Sequence, residues 1–155
     1  MKKIKIDNLQ EYQGTARKVV RVLVFGTFDM IHDGHRHFFK QARSLANNSR
    51  LIVSLARAKN VEKIKGRTPR LSEAARLAQV RALPEVDSAV LGGVRDHIPH
   101  IIRIRPDIIA LGYDQHAYVA GLRRELKVAG LDIKIVRLKP FYPQKFKTSL
   151  LQKRI

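Results

Sequence analysis

The stretch Lys18–Gln41, KVVRVLVFGTFDMIHDGHRHFFKQ, decides how the chain is read. Val19–Phe25 is a run of β-branched and apolar residues interrupted only by Arg21, the pattern of a strand buried on both faces. Gly26 ends the run. From His35 to Ala46, the residues Phe38, Phe39, Ala42, Leu45 and Ala46 recur at helical spacing and predict a helix. The join holds His32 and His35, three apart, around Gly34. A strand, a glycine turn and a helix opening on His-x-Gly-His make a phosphate-handling arrangement. Free N–H groups and the positive end of the helix dipole face a polyphosphate there. Two imidazoles on the same turn add donors and spread developing negative charge.

The rest of the chain sets the bounds on that reading. Its 155 residues suffice for one domain with a real core, and 45% hydrophobic residues is ordinary for a globular protein. There is no cysteine, which excludes a disulfide framework, a thiolate metal site and a thiol nucleophile, and which fits a reducing compartment. No segment reaches the roughly 18 uninterrupted apolar residues of a membrane span. The start, MKKIKIDNLQ, lacks the apolar centre of a secretion signal. The expectation is a cytoplasmic protein with no membrane partner. The net charge of +18 points to an anionic partner: nucleic acid, anionic lipid or a polyphosphate substrate. The basic residues are spread along the chain, and few aromatics accompany them as stacking platforms for single strands. A polyphosphate substrate is therefore preferred to nucleic acid as the main partner.

Residues 1–17 read as an N-terminal extension. Lys2, Lys3 and Lys5 alternate with Ile4 and Ile6, and an arm, a short helix on the sheet or a homodimer contact all fit. Residues 18–155 read as one catalytic domain. The first helix is expected to end near Asn47-Asn48, since Asn tolerates a left-handed cap. Leu51–Ala56 is a second buried strand, and the helical crossover makes it parallel to the first. Arg57–Pro69, with Lys59, Lys63, Lys65 and Arg67, reads as a basic loop or loose helix, which Gly66 and Pro69 keep from settling into regular structure. A solvated charged loop is one reading. Its place beyond a parallel strand's C-terminus favours the other, a phosphate clamp.

Ser72 can cap a helix over Glu73–Leu83, which Pro84 stops. Val86–Leu91 is a third strand closed by Gly92-Gly93, and Asp96 can cap a helix to about Ile104. His97 and His100 lie on that helix, but no cysteine or acidic cluster completes a metal site, so they are expected to face solvent. Asp107–Leu111 is the fourth strand, followed by GYDQ. Gly112 lets the backbone approach a ligand, and Asp114 falls past a strand end, where a carboxylate can hold ribose hydroxyls or cap the residues from Ala117 onward. Ala117–Ala129 is an amphipathic helix ended by Gly130, and Ile133–Leu138 alternates as a fifth strand. The tail KTSLLQKRI restarts a helix with Thr148 or Ser149 at its N-terminus. Strands alternating with helices give an α/β fold with a single parallel sheet and helices on both faces.

GTFDMIHDGH resembles the Gly-Thr-Phe-Asp…His-x-Gly-His signature of the cytidylyltransferase-like nucleotidyltransferases. PDIIALGYDQ is again similar to that family, and looks most like its archaeal-type FAD synthetases. The turn before the last helix resembles the family's second signature, a Ser/Thr-rich phosphate turn. It departs at Lys147, where Ser is common, and lacks the preceding Arg of glycerol-phosphate enzymes and a tail cysteine of some flavin-type members. The resemblance implies a Rossmann-like, doubly wound, five-stranded sheet of order 3-2-1-4-5, with the site at the switch point between strands 1 and 4. It also implies nucleotidyl transfer: a phosphorylated acceptor attacks the α-phosphate of a nucleoside triphosphate, and pyrophosphate leaves.

On this reading His32 and His35 hold the triphosphate, with Lys65 neutralising charge and Lys63 or Arg67 assisting as a clamp. Gly26, Thr27, Phe28 and Gly34 bind phosphates through amides and a hydroxyl. Arg76 matches a basic residue that reaches the triphosphate in family members, Gly112 and Asp114 hold the nucleoside, and Thr148 and Ser149 close the phosphate site. Magnesium arrives with the triphosphate, Asp29 being an indirect ligand, and no protein metal site is expected. The expected reaction joins ATP and FMN to give FAD. CTP with glycerol 3-phosphate or another small phosphate is the alternative, and a basic nucleic-acid-binding module on the same fold is the reading from another class.

Overall fold

A computed structural model describes residues 18–116 and 121–140 of the chain. The expectations for residues 1–17, for 117–120 at the start of the Ala117–Ala129 helix, and for the tail with Thr148 and Ser149 lie outside the described residues. In chain order the elements are β1 (Val20–Gly26), α1 (Asp33–Arg43), β2 (Ser49–Leu55), α2 (Ala58–Lys65), α3 (Glu73–Arg81), β3 (Ser88–Leu91), α4 (His97–Ile104), β4 (Ile108–Leu111), α5 (Leu122–Val128) and β5 (Lys134–Arg137). The five strands form one sheet of order β3-β2-β1-β4-β5, every pair parallel. This is the doubly wound order that the family resemblance implies, on the parallel sheet that the sequence pattern predicts. The chain leaves β1 toward β2 and β3 on one side, then returns past β1 to place β4 and β5 on the other.

The sheet is covered on both faces. Val22 and Val24 of β1, with Leu51, Val53 and Leu55 of β2, pack against Phe39 and Ala42 of α1 and Val80 of α3. The alternate residues Leu23, Phe25 and Ile52 pack against Ile101 and Ile104 of α4 and Leu122 and Leu126 of α5. The two-residue period of a strand distributes one near-continuous apolar run between two cores. Arg21, the interruption in that run, is placed at the amino end of β1. Its Nε donates to the Ile104 carbonyl at 2.9 Å, and its backbone N–H donates to Asp107 at 2.9 Å.

Three local expectations are corrected. Helix α1 ends at Arg43, short of Asn47-Asn48. The Ser44 hydroxyl donates to the Gln41 carbonyl at 2.7 Å, and the Ser49 hydroxyl donates to the Arg43 carbonyl at 2.6 Å. The last carbonyls thus find partners with no left-handed Asn; Ser44 itself is right-handed. The basic segment after β2 is regular: Ala58–Lys65 is a helix, buried at Val61 and ended by Gly66 at φ 74°. Gly66 is a C-terminal cap here and not a breaker. Its N-terminus lacks a side-chain cap of its own; Glu73 of α3 accepts from the Ala58 N–H at 2.8 Å in its place. Finally, His100 does not face solvent. It is 8% exposed, and its Nε2 lies 2.8 Å from the Ser54 hydroxyl of β2, a polar group the α4 face of the sheet would otherwise leave unpaired.

Gly26 is fixed by packing. A Cβ there would meet the Phe28 ring carbons at 2.5 to 2.9 Å. Phe28 is itself buried at 6% exposure and lies on Phe39, ring centroids 5.1 Å apart. Gly26→Ala is expected to lower unfolding stability by about 1–3 kcal/mol through overpacking. The loss should shrink in a Phe28→Ala background, which a double-mutant cycle by chemical denaturation measures.

Candidate active site

The carboxyl ends of β1 and β4 face the same edge of the sheet, and the loops leaving them carry Thr27, Phe28, His32, Gly112 and Asp114. From β1, residues 27–32 lead into α1. Phe28 adopts φ 51°, a left-handed conformation that L side chains rarely take. Its ring buries against Phe39 and edge-on to His35, centroids 5.5 Å apart. That packing holds the strained turn.

The turn is also strapped from α3 and the segment before it. Asp29 is 7% exposed and accepts backbone N–H groups from Arg70 at 2.7 Å and Leu71 at 2.8 Å. Both oxygens are so engaged, and Asp29 straps the turn to the segment before α3. Gln79 of α3 donates through Nε2 to the carbonyls of Phe28 and Asp29, at 3.0 and 2.9 Å. Arg76, expected to reach the triphosphate, is fully buried beneath the turn. Its Nη1 donates to the Thr27 carbonyl at 3.0 Å and to the Ala56 carbonyl at the exit of β2 at 2.8 Å.

The two histidines are built into the N-terminus of α1. His32 is the N-cap, and its Nδ1 accepts the Gly34 N–H at 3.1 Å. In return the Nδ1 of His35 accepts the His32 N–H at 3.3 Å. This reciprocal cap places imidazoles where Ser and Glu usually stand. The rings stack, centroids 3.8 Å apart and planes 23° from parallel. Both Nδ1 atoms are acceptors, so each neutral ring carries its proton on Nε2. Burial lowers the His32 pKa, against a smaller opposing effect of Asp33. His35 is lowered to about 3, chiefly by burial and further by His32 and Lys65, against a backbone hydrogen bond with Met30 that raises it. At neutral pH the pair is therefore two uncharged N–H donors at the positive end of a helix.

Positive charge comes from α2. Lys65, in its last turn, donates through Nζ to the Thr27 hydroxyl at 3.3 Å. Lys63 shares that exposed turn, and Arg67 follows it, also exposed. Two links steer α2 from outside its own helix besides Ala58: Arg57 pairs with Glu73 at 3.4 Å, and Asn60 donates to the Gly93 carbonyl at 3.1 Å. On the far side, Gly112 is buried and Asp114 sits exposed in the turn after β4. Gln115 ties this turn to β1: its Nε2 donates to the Phe25 carbonyl at 2.6 Å, and its Oε1 accepts the Gly112 N–H at 2.7 Å. Arg137 of β5 donates to the carbonyls of Gly112 and Gln115, at 2.8 and 3.0 Å.

The structure thus brings Gly26, Thr27, Phe28, His32, Gly34, His35 and Lys65 together, and links the Gly112–Asp114 turn to the same strand end. Sequence reasoning missed the supports: Gln79, Gln115 and Arg137. Only Gln115 carried a signal, being the last residue of GYDQ. Among the described residues no three His, Cys, Asp or Glu side chains lie together where they could hold a metal ion. No helix among them is long and apolar enough to cross a membrane.

A family model described as cytidylyltransferase-like matches residues 23–154. The chain is 49% identical over 122 residues to a protein named FAD synthase from Korarchaeum cryptofilum, covering 78% of this chain and 82% of that one. It is 40% identical over 144 residues to a protein of the same name from Pyrococcus horikoshii, covering 92% and 95%. A crystal structure described as the lipopolysaccharide core biosynthesis protein from Thermoplasma volcanium superposes with a TM-score of 0.73 at 36% identity, covering 80% of this chain and 99% of that one. A match across the sheet, both histidines and the β4 turn leaves one conclusion: the chain belongs to the cytidylyltransferase-like family.

Proposed function

We propose that this protein is a nucleotidyltransferase that joins AMP from ATP to FMN, giving FAD and pyrophosphate. The observation that carries the chemistry is the stacked, neutral histidine pair at the N-terminus of α1, beside Lys65. The name shared by the Korarchaeum and Pyrococcus relatives supports the choice of substrates. The family match over residues 23–154 supports a domain spanning 18–155 with 1–17 as an extension. A cytoplasmic location is part of the proposal and accords with a chain that has no cysteine.

In this mechanism an oxygen of the FMN phosphate attacks the α-phosphorus of ATP. The new P–O bond forms as the bond to the bridging oxygen breaks, and that oxygen's electron pair leaves with pyrophosphate. No group on the enzyme is covalently engaged. The protein positions the phosphates and stabilises charge. ATP would enter as its magnesium complex, the cation offsetting part of the phosphate charge. The Nε2–H groups of His32 and His35 donate to phosphate oxygens, and the amides at the start of α1 add further donors. Gly34 leaves room for that approach, and the amides of Gly26, Thr27 and Phe28 line the turn. Neutral imidazoles suit this task, because they hydrogen-bond the anion without the cost of burying two adjacent cations. Lys65, with Lys63 and Arg67, supplies the compensating charge on the leaving or attacking phosphate. Asp114 accepts from the ribose hydroxyls, Arg76 stands behind the turn as a fixed charge, and Thr148 and Ser149 close the phosphate site.

Incubation with ATP and FMN should release pyrophosphate and yield FAD, read by coupled phosphate detection and by flavin chromatography. Turnover of CTP with glycerol 3-phosphate in preference would reassign the substrates. Salt-sensitive binding of nucleic acid without any pyrophosphate release would remove the enzyme reading. His35→Ala should lose on the order of 100-fold or more in turnover while remaining folded, the cost of a lost, well-placed donor. NMR of the wild-type protein should show the His35 ring neutral down to about pH 4; a midpoint near 6.5 would contradict the buried, neutral pair. The linkage has a definite sign. An unfolded His binds a proton below about 6.5 and the folded His35 does not, so stability falls as pH drops from there toward about 3.

A further inference from the structure

The paired register of β1 and β4 stops at Val24 and Ala110, although β1 continues to Gly26 and β4 to Leu111. Carried one step further, it would set Phe25 opposite Leu111. In a parallel ladder the bonds of a residue go to the two neighbours of its partner. The Gly112 N–H would therefore donate to the Phe25 carbonyl. That donor and that acceptor are instead joined through a side chain. The Gln115 carboxamide accepts from the Gly112 N–H at 2.7 Å and donates to the Phe25 carbonyl at 2.6 Å. Two hydrogen bonds and the width of an amide replace one bond of about 2.9 Å.

The insertion falls at the switch point, where β1 sends its chain to one side and β4 to the other. Its two anchors lie next to the residues that matter. Phe25 precedes Gly26 and Thr27 of the phosphate turn, and Gly112 precedes Asp114 by two residues. Arg137 holds the carbonyls of Gly112 and Gln115 from β5, so the turn is gripped from the opposite side as well. A carboxamide suits the position because one planar group offers both an acceptor and a donor.

We propose that Gln115 is a positioning residue whose carboxamide wedges the ends of β1 and β4 apart and sets the width of the crevice that receives the nucleoside triphosphate. It acts through the Gly112–Asp114 turn and takes no part in the chemistry. The proposal rests on the nucleotidyltransferase reading above. Without the wedge, the Gly112 N–H and the Phe25 carbonyl can bond directly and draw the two loops together. The sheet keeps its hydrogen bonds, but the crevice narrows.

The test compares wild type with Gln115→Ala and Gln115→Glu, measuring magnesium–ATP affinity by titration without FMN, steady-state kinetics and thermal stability. Gln115→Ala should weaken ATP binding and raise its KM by about tenfold or more, with kcat changed less than KM, the signature of lost ground-state positioning. Its melting temperature should stay near that of wild type. Gln115→Glu separates a wedge from a generic packing role. Its carboxylate offers only acceptors and sets a charge against the Phe25 carbonyl, whereas its protonated form offers the same acceptor and donor as the amide. Arg137 is bonded to this turn, and Asp114 and His116 flank Gln115 in sequence; all three are also present in wild type. The ratio of the Glu variant's ATP affinity to that of wild type should therefore rise as pH is lowered from about 8 to about 5. Unchanged ATP affinity in a folded Ala variant would overturn the wedge. So would a Glu-to-wild-type ratio that stays flat with pH, which decides the matter if the Ala variant does not fold. A wild-type protein that bound ATP and made FAD while both variants behaved normally would sink this inference alone. A wild-type protein that bound no nucleoside triphosphate would sink the parent reading and the wedge with it.

Discussion

The site hangs on one buried cation. Arg76 is fully shielded from water, and its hydrogen bonds go to main-chain carbonyls: Thr27 and Ala56 through Nη1, with a longer bond of 3.4 Å from Nε to Leu71. These carbonyls come from three separate segments, the turn after β1, the exit of β2 and the approach to α3. Burial lowers the guanidinium pKa, and Asp29 and Glu73 nearby oppose the shift. An arginine keeps its charge through such a shift because its ordinary pKa lies so far above neutrality. Removing the side chain would leave the carbonyls without donors and the turn without its floor, which costs far more than an exposed hydrogen bond. The turn that carries Phe28 at positive φ is held from below by Arg76, from the side by Gln79 and from the front by the amides that Asp29 accepts.

Strain and support here serve one end. The main chain between Gly26 and His32 lies outside helix and ladder. A segment in that condition is ordinarily mobile. In this protein its carbonyls at Thr27, Phe28 and Asp29 are engaged by Arg76 and Gln79. The histidines are engaged as well. Their Nδ1 atoms are consumed by the cap of α1, and this fixes the tautomer that presents Nε2–H.

This explains what could be read from the sequence and what could not. The strand, glycine turn and helix opening on His32 and His35 were legible, because each is specified by neighbours within a few residues. So were the five strands and their parallel pairing, from apolar runs alternating with helical segments, while their order was legible only through the family resemblance. The regularity of helix α2 was hidden. Gly66 has the same composition whether it breaks a helix or ends one, and the N-terminal partner of α2 is Glu73, fifteen residues on. His100 was hidden for a similar reason. Its partner Ser54 lies 46 residues earlier, inside a strand that otherwise reads as apolar. The strap that Asp29 makes was hidden too, because the amides it accepts from Arg70 and Leu71 have no side-chain signature at all.

The opening between β1 and β4 follows from topology, but its width does not. Doubly wound connectivity obliges the chain to leave adjacent strands in opposite directions, so a crevice forms at the switch point of every such sheet. Topology alone would let the two strands stay paired to their ends and bury the crevice floor. Here pairing ends early on β4, while β1 remains paired with β2 through Gly26. Phe25 and Gly26 are therefore held on one side and released on the other. The turn after β1 inherits a fixed position from β2, and the Gly112–Asp114 turn inherits its own from β5 through Arg137. Two rigid lips, each anchored to its outer neighbour and joined through a single glutamine side chain, let a soft boundary between strands hold a defined distance.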